Sequence, residues 1–252
     1  MVQTVLITGA SSGFGEASAR KFASADYRLV LTARRFERLQ KIANDIPAIC
    51  PVHIARLDVT DASAVSHFTE SLPENFRSID ILINNAGLAL GLNPAHEASL
   101  EDWETMIDTN IKGLMRVTHH ILPGMVKRNH GHIINIASVA GSWPYPSGNA
   151  YGASKAFVQQ FSSNLRCDLL GKKIRVTNID PGLAETEFSN VRLQDDTKAD
   201  AVYAGTQPLS ATDIADIIFW VTSVPPHVNI NTLEVMPVCQ AWSGFAVNRD
   251  MC

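Results

Sequence analysis

The sequence lacks a long hydrophobic run, and it has no strong excess of charge of either sign. Its 252 residues include 21 basic and 25 acidic side chains, which gives a formal net charge of −4. Without an apolar stretch of about 18 residues, no membrane-spanning segment is expected. Without a cluster of Lys and Arg, we expect neither nucleic acid nor an anionic membrane surface as a partner.

Cysteine is scarce as well, with Cys50, Cys167, Cys239 and Cys252 as the only thiols. Neither these cysteines nor the eight histidines fall at metal-ligand spacing, so we expect no metal site. Unpaired thiols are typical of a reducing compartment, and the N-terminal VQTVLITGA lacks the features of a signal peptide. A cytoplasmic protein is therefore expected.

Short apolar runs alternate with amphipathic helical patterns along the whole chain. This alternation predicts an α/β protein with a Rossmann-type, doubly wound parallel sheet of seven strands, as a single domain over residues 1–252. The predicted strands are Val2–Thr8, Arg28–Thr32, Val52–Leu57, Ile79–Ile83, His132–Ile136, Arg175–Ile179 and Thr232–Val235.

Helical patterns fill the intervals between the strands. Predicted helices run from Gly13 to Ala25, from Arg35 to Asn44, from a cap at Asp61, from Leu100 to Lys127, through Tyr151 to Leu170, and from Thr212 to Val221. Residues 186–209 break the alternation and are polar. A segment of this kind is either disordered or functional, and its place after a strand end favours a substrate lid.

A glycine-rich turn joins the first predicted strand to the first predicted helix. Glycines there allow a pyrophosphate to approach the backbone, and the helix N-terminus offers free N–H groups. A turn that is only structural is the alternative. The residues of the turn that we expect to bind a dinucleotide are Gly9, Ser11, Ser12, Gly13, Phe14 and Gly15.

The end of the second predicted strand carries Arg34 and Arg35, where NAD-binding folds carry an acid. A guanidinium suits a 2′-phosphate, so we expect NADP; solvated arginines are the alternative. Asp58 and Val59 end the third strand, where the carboxylate could accept from an adenine amino group or cap the next helix. After the fourth strand, a ribose could lie against Asn85, Ala86 and Gly87.

Tyr151 and Lys155 are four residues apart in YGASK and share one face of a helix. A nearby ammonium favours the phenolate, so we expect the pKa of Tyr151 to be lowered toward neutrality. Such a tyrosine would act as a general acid/base. Ser138 follows the fifth strand, and Asn110, a poor helix former, indicates a local kink or a bound water in the long helix.

Together with TGASSGFG, NNAG and Pro181-Gly182 before Thr186, these residues resemble the short-chain dehydrogenase/reductases over the whole chain. Within that family the chain is most similar to NADP-dependent 3-hydroxy acid dehydrogenases. The resemblance implies that Tyr151 exchanges the substrate proton, Lys155 lowers its pKa and holds the ribose, Ser138 binds the substrate oxygen, and Asn110 holds a water. It also implies that Pro181, Gly182 and Thr186 contact the nicotinamide.

The resemblance further implies oxidation of serine, allo-threonine or 3-hydroxyisobutyrate, and reduction of malonic semialdehyde. We expect Arg192 to bind the substrate carboxylate, with a solvated lid arginine as the alternative. Trp143 and Tyr145 are expected to line the substrate pocket. Whether Glu185 and Glu187, which flank Thr186, tune the site or face water is left open.

Two other functions remain as alternatives: a ketoreductase for a bulkier carbonyl, such as a 3-oxoacyl thioester or a cyclic ketone, and a regulatory protein that binds NADPH without turnover. Relatives pair the helices at 100–127 and 150–170, so a homotetramer is expected. Trp242 and Phe245 in the tail would be exposed without a partner.

Overall fold

The computed structural model describes residues 2–193 and 195–242. A seven-stranded, wholly parallel sheet with the order β3-β2-β1-β4-β5-β6-β9 forms its centre, which confirms the predicted doubly wound fold. The strands are β1 (Gln3–Thr8), β2 (Tyr27–Ala33), β3 (Val52–Arg56), β4 (Ile81–Asn84), β5 (Gly131–Ile136), β6 (Ile174–Pro181) and β9 (Thr232–Val235). A two-stranded sheet pairs β7 (Ala184–Glu185) with β8 (Leu209–Ser210).

Nine α-helices connect these strands in the described residues: α1 (Gly13–Ala23), α2 (Phe36–Asp45), α3 (Ala62–Ser71), α4 (Leu100–Ile107), α5 (Leu114–Arg128), α6 (Asn149–Asp168), α7 (Phe188–Leu193), α8 (Asp196–Tyr203) and α9 (Ala211–Ser223). As predicted, Asp61 caps α3, and its carboxylate accepts from the backbone N–H groups of Ser63 and Ala64. Residues 186–209, predicted as a polar lid, contain α7, α8 and β8.

Two apolar layers cover the two faces of the sheet. On one face, Phe22 of α1, Leu39 of α2 and Ile218 of α9 pack against the strands. On the other, Phe68 of α3 and Met125 of α5 do so together with residues of α6. Burial on both faces explains why the strands are continuous apolar runs rather than alternating patterns.

The helix predicted from Leu100 to Lys127 is interrupted around Asn110, where the sequence indicated a local kink or a bound water. A π-helical turn, Asp108–Gly113, separates α4 from α5. Asn110 lies in this turn and bonds the backbone of Leu88 instead of stabilising a regular helix. Close approach of Gly113 to Val59 also fixes the turn, because a Cβ on Gly113 would lie 2.6 Å from the Val59 side chain.

Phe245 and Cys252 lie outside the described residues. In the part of the chain that the structure describes, Cys50, Cys167 and Cys239 are free thiols, and no group of three or more His, Cys, Asp or Glu side chains could hold a metal ion. None of the helices described combines the length and the apolar character needed to cross a bilayer.

Candidate active site

A cavity of about 330 Å³ opens at the carboxyl ends of β1, β4 and β5. The strand order reverses between β1 and β4, and open α/β sheets bind their ligands at such a point. All predicted cofactor-binding residues except Gly15 line this cavity: Gly9, Ser11, Ser12, Gly13, Phe14, Arg34, Arg35, Asp58, Val59, Asn85, Ala86, Gly87, Tyr151, Lys155, Pro181, Gly182 and Thr186.

The glycine-rich turn between β1 and α1 has the shape of a phosphate cradle. Gly9 has a φ of 65°, and a Cβ there would lie 2.9 Å from the Ala86 Cα. Gly15 serves packing instead of lining the cavity, since its Cβ would meet the Asn85 Nδ2 at 2.6 Å. The Asn85 amide donates to the carbonyls of Thr8 and Gly9 at 2.9 and 3.1 Å, so this donor holds the turn.

Arg35 is fixed beside this turn. Its Nε donates to the Ser11 hydroxyl at 3.2 Å and its Nη2 to the Ser12 hydroxyl at 2.6 Å. Arg34 is exposed at the rim, and β2 ends at Ala33 with no carboxylate. Because the two hydroxyl groups are neutral, they do not offset the positive charge of the guanidinium. That charge suits a 2′-phosphate better than a ribose diol.

Asp58 does not cap the next helix, which was one of the two roles predicted for it. Its Oδ1 accepts from the backbone N–H and the hydroxyl of Thr60, at 2.9 and 2.8 Å. The alternative that Asp58 caps the next helix is wrong, because Asp61 is the cap of α3. Asp58 and Val59 still face the cavity, where contact with an adenine remains a prediction.

Tyr151, Lys155 and Ser138 converge at the inner end of the cavity. Tyr151 and Lys155 both lie on α6 and are buried. The Lys155 Nζ donates to the Ile136 carbonyl at 2.9 Å and lies 5.8 Å from the centre of the Tyr151 ring. Ser138 is the last residue before a short 3-10 turn, and its hydroxyl lies close enough to the Tyr151 phenol to affect its pKa. The structure therefore assembles the predicted trio.

The predicted effect of Lys155 on the tyrosine is wrong for this structure. Burial raises the pKa of Tyr151 to about 12, against opposing effects of the Ser138 hydrogen bond and the Arg192 charge. Burial likewise lowers the pKa of Lys155 to about 8, and the negative charge of Asp180 acts in the opposite direction. Removal of both groups from water disfavours the charged form of each. The phenol is consequently protonated at neutral pH.

Asn110 sits behind this trio, in the π-helical turn. Its Nδ2 donates to the Leu88 carbonyl at 2.8 Å and to the Ser154 hydroxyl at 3.0 Å, and its Oδ1 accepts from the Leu88 N–H. One acceptor position on Oδ1 is left. Both this oxygen and the Lys155 Nζ would contact a Cβ on Gly87, at 3.2 and 3.4 Å, so the two atoms share a wall of the cavity.

Two of the predicted substrate residues lie beside Tyr151, and one does not. The Arg192 Nη2 donates to the Tyr145 hydroxyl at 3.0 Å, and its guanidinium carbon lies 5.5 Å from the centre of the Tyr151 ring. Trp143 instead donates to Glu234 at 2.7 Å and packs against Trp242. The indole is 42% exposed, and the pocket role of Trp143 stays a prediction.

Sequence reasoning missed several residues that support the site. Arg38 was detectable, since it follows Arg35 by three positions on α2 and therefore shares its face. Gln159 was detectable too, at one helical turn after Lys155; its amide donates to the Ser138 carbonyl and to Asp180. No pattern pointed to Ser154, whose hydroxyl joins Asn110 to the Tyr151 carbonyl.

A doubly wound sheet, a glycine-rich phosphate turn and a buried Ser-Tyr-Lys trio together define a class of nucleotide-dependent oxidoreductases. The chain belongs to the short chain dehydrogenase family, whose model matches residues 3–197.

Several proteins of that family are similar to the chain over nearly their full length. Sulfoacetaldehyde reductase 2 of Chromohalobacter salexigens is 56% identical over 252 residues, which cover 99% of this chain and 100% of the relative. The NADP-dependent 3-hydroxy acid dehydrogenase of Escherichia coli K12 is 56% identical over 248 residues, covering 98% and 99%. The closed form of serine dehydrogenase complexed with NADP+ has a TM-score of 0.96 and 55% identity, covering 98% of this chain and 100% of that one.

Proposed function

We propose that this enzyme interconverts short 3-hydroxy acids and the corresponding 3-oxo acids by hydride transfer with NADP. The observation that carries the proposal is the position of Arg192, a cation 5.5 Å from the ring of the buried Tyr151. A small substrate bound beside both residues would present its oxygen to the phenol and its acid group to the guanidinium. Serine, allo-threonine, 3-hydroxyisobutyrate and malonic semialdehyde are the proposed substrates.

NADP is the cofactor of this chain, and the cavity fits it. The turn with Gly9 and Gly13 would hold the pyrophosphate, Arg35 the 2′-phosphate, and Lys155 the nicotinamide ribose. The bound nicotinamide supplies or accepts the hydride, and the protein supplies position and electrostatics.

The proton is handled by the residues of the chain. Because the Tyr151 phenol is protonated at neutral pH, it would donate a proton to the substrate oxygen during reduction. The Ser138 hydroxyl, which lies beside the phenol, would bond that oxygen and stabilise its developing charge. Lys155 would return a proton to the phenol, and a water held by the remaining acceptor of Asn110 would resupply Lys155 with a proton from solvent.

A second candidate substrate is favoured by two relatives from Chromohalobacter salexigens named as sulfoacetaldehyde reductases, at 56% and 53% identity. Malonic semialdehyde and sulfoacetaldehyde both place one carbon between the aldehyde and an acid group. A guanidinium binds carboxylate and sulfonate oxygens through the same planar pair of donors. Sulfoacetaldehyde is therefore the second candidate, and it requires no change in the proposed roles.

A panel of substrates tests the proposal. Turnover with NADPH would be measured on malonic semialdehyde, sulfoacetaldehyde, propanal and a 3-oxoacyl thioester, and turnover with NADP+ on serine, allo-threonine and 3-hydroxyisobutyrate. The two acidic aldehydes should exceed propanal in kcat/KM, since they alone engage Arg192. A preference for the thioester would favour the bulkier ketoreductase instead.

Arg192→Leu is expected to raise KM for malonic semialdehyde about 10- to 100-fold, because a hydrogen-bonded charge pair contributes roughly 1.5–3 kcal/mol. KM for propanal should change little, because that substrate has no acid group. Steady-state kinetics on both aldehydes would measure the split.

Arg192→Lys is the matched control. It keeps the positive charge and loses the planar fork, so an intermediate KM for the acidic aldehyde is expected. An equal loss on the acidic and the neutral aldehyde in the Leu variant would rule out a carboxylate-binding role for Arg192.

A further inference from the structure

Glu187 lines the cofactor cavity and forms ion pairs there with Arg35 and Arg38. It directly precedes α7, and its two carboxylate oxygens are shared between two guanidiniums of the α2 region. The Arg35 Nη1 lies 2.9 Å from Oε2, and the Arg38 Nη1 lies 2.5 Å from Oε1. An acid of the chain thus binds the cations that suit a phosphate.

This carboxylate is not required to position Arg35. The Nε and Nη2 of Arg35 are already bonded to the hydroxyls of Ser11 and Ser12, and only Nη1 is directed to Glu187. If Glu187 served to orient the guanidinium, it would duplicate what the glycine-rich turn supplies. Its effect on Arg35 is instead to neutralise the positive charge and to occupy the Nη1 donor of the guanidinium.

The pairing is weak enough to be displaced. The side chains of Arg35, Arg38 and Glu187 are 43%, 48% and 44% exposed, and ion pairs in such surroundings contribute little. A phosphate carries up to two negative charges and three acceptor oxygens, so it competes favourably with one carboxylate. The same cations therefore have two alternative partners, one from the chain and one from a ligand.

We propose that Glu187 is a specificity-determining residue that competes with the 2′-phosphate of the cofactor for Arg35 and Arg38. Binding of the phosphate frees Glu187, and with it the start of α7, the helix that carries Arg192. The 2′-phosphate site and the proposed substrate-binding helix are thereby coupled through one carboxylate. NAD, which lacks the phosphate, leaves Glu187 on the arginines.

Glu187→Gln is expected to tighten binding of adenosine 2′,5′-bisphosphate and NADP+ about 3- to 10-fold, because the competing charge is removed. The dissociation constants of AMP and NAD+ should change by less than about 1.5-fold, because these ligands lack the 2′-phosphate and do not use the arginines. Isothermal titration calorimetry at fixed ionic strength gives all four dissociation constants without turnover.

Glu185→Gln is the matched control, since Glu185 is an exposed acid two positions earlier in the chain. It should leave the ratio of bisphosphate to AMP affinity at the wild-type value. Weaker or unchanged bisphosphate binding in the Glu187 variant would overturn the proposal, as would equal gains for AMP and the bisphosphate or an equal gain in the Glu185 variant.

Hydrogen exchange of the wild-type protein provides an independent measurement. Adenosine 2′,5′-bisphosphate has no nicotinamide half, and it should raise the exchange of amides 188–193 relative to AMP. In the Glu187→Gln variant this segment should exchange fast from the start and should not respond to the ligand. Unchanged or slower exchange of this segment in the wild type would contradict the coupling.

Discussion

Replacement of Tyr151 with Phe is expected to lower kcat about 10²- to 10⁴-fold for malonic semialdehyde, and to leave the dissociation constant of NADP+ nearly unchanged. The loss should affect kcat more than KM, because the hydroxyl acts on the proton that moves in the transition state. Single-turnover reduction with NADPH and calorimetric titration of NADP+ would measure the two quantities separately.

The structural basis for this expectation is that Phe preserves everything about Tyr151 except the oxygen. The ring packs against Phe188, with 5.6 Å between the ring centroids, and below the Arg192 guanidinium. Phe keeps both contacts and removes only the phenolic hydroxyl beside Ser138. A pKa of about 12 keeps the phenol protonated across the usual assay range, so the reductive direction loses its proton donor.

The control for this variant is Tyr27→Phe, which removes the same atom from a tyrosine at the opposite end of the sheet. Tyr27 begins β2 and packs edge-on against Phe22, far from the carboxyl ends of the strands. The control should retain the kcat of the wild type. A Tyr151→Phe enzyme with that same kcat would exclude the phenol as the proton donor.

The second large effect is expected from Lys155→Met, which should stabilise the protein while it reduces turnover by about 10²-fold or more. Lys155 is 7% exposed, and burial lowers the pKa of its ammonium from 10.5 to about 8. A shift of this size means that the charge costs the native state about 3 kcal/mol at neutral pH. The lost hydrogen bond to the Ile136 carbonyl offsets about 1 kcal/mol, which leaves a net gain of about 1–2 kcal/mol.

The sign of the pH dependence follows from proton binding. Because the pKa of Lys155 in the folded protein is below that in the unfolded chain, the unfolded chain binds more protons between pH 8 and 10.5. The stability of the wild type therefore gains a positive contribution as pH rises through this window, whereas the Met variant lacks it. The advantage of the variant should be largest below pH 8 and should shrink above it.

Urea unfolding of both proteins at pH 7 and near pH 9.5 measures this difference. Lys127→Met, at an exposed position near the end of α5, is the control and should show no advantage that depends on pH in this way. A Met variant less stable than the wild type at pH 7, or one whose advantage grows with pH, would contradict the buried-charge interpretation of Lys155.

Much of the fold could be predicted from the sequence because its signals are local. The strands are apolar runs bounded by turns, and Thr232–Val235 was predicted with the bounds that the structure has. Asp61 predicted the start of α3, because an aspartate side chain can cap the N-terminus of a helix. Asn110 indicated a local kink in the long helix, but the π-helical form of Asp108–Gly113 was not predictable, because Leu88 and Val59, which fix it, are distant in sequence.

The residues of the site likewise divide into those predictable from local sequence and those that depend on distant parts of the chain. The glycine-rich turn and the Tyr151–Lys155 pair follow from spacing alone, since helical geometry places residues four apart on one face. The partners of Trp143, Glu234 and Trp242, were not predictable, because they come from the far end of the chain. The pKa of Tyr151 was predicted with the wrong sign, because the neighbouring charge is visible in the sequence and the burial of the phenol is not.

The sequence by itself determined the doubly wound sheet and predicted the glycine-rich turn and the Tyr151–Lys155 pair, since each depends on periodicity or on short spacing. Only the tertiary structure decided how those side chains are solvated and paired. It buried Tyr151 and Lys155 together, and it brought Glu187 onto Arg35 and Arg38 from more than a hundred positions away. Solvation and long-range pairing depend on three-dimensional packing, which no local pattern in the chain encodes.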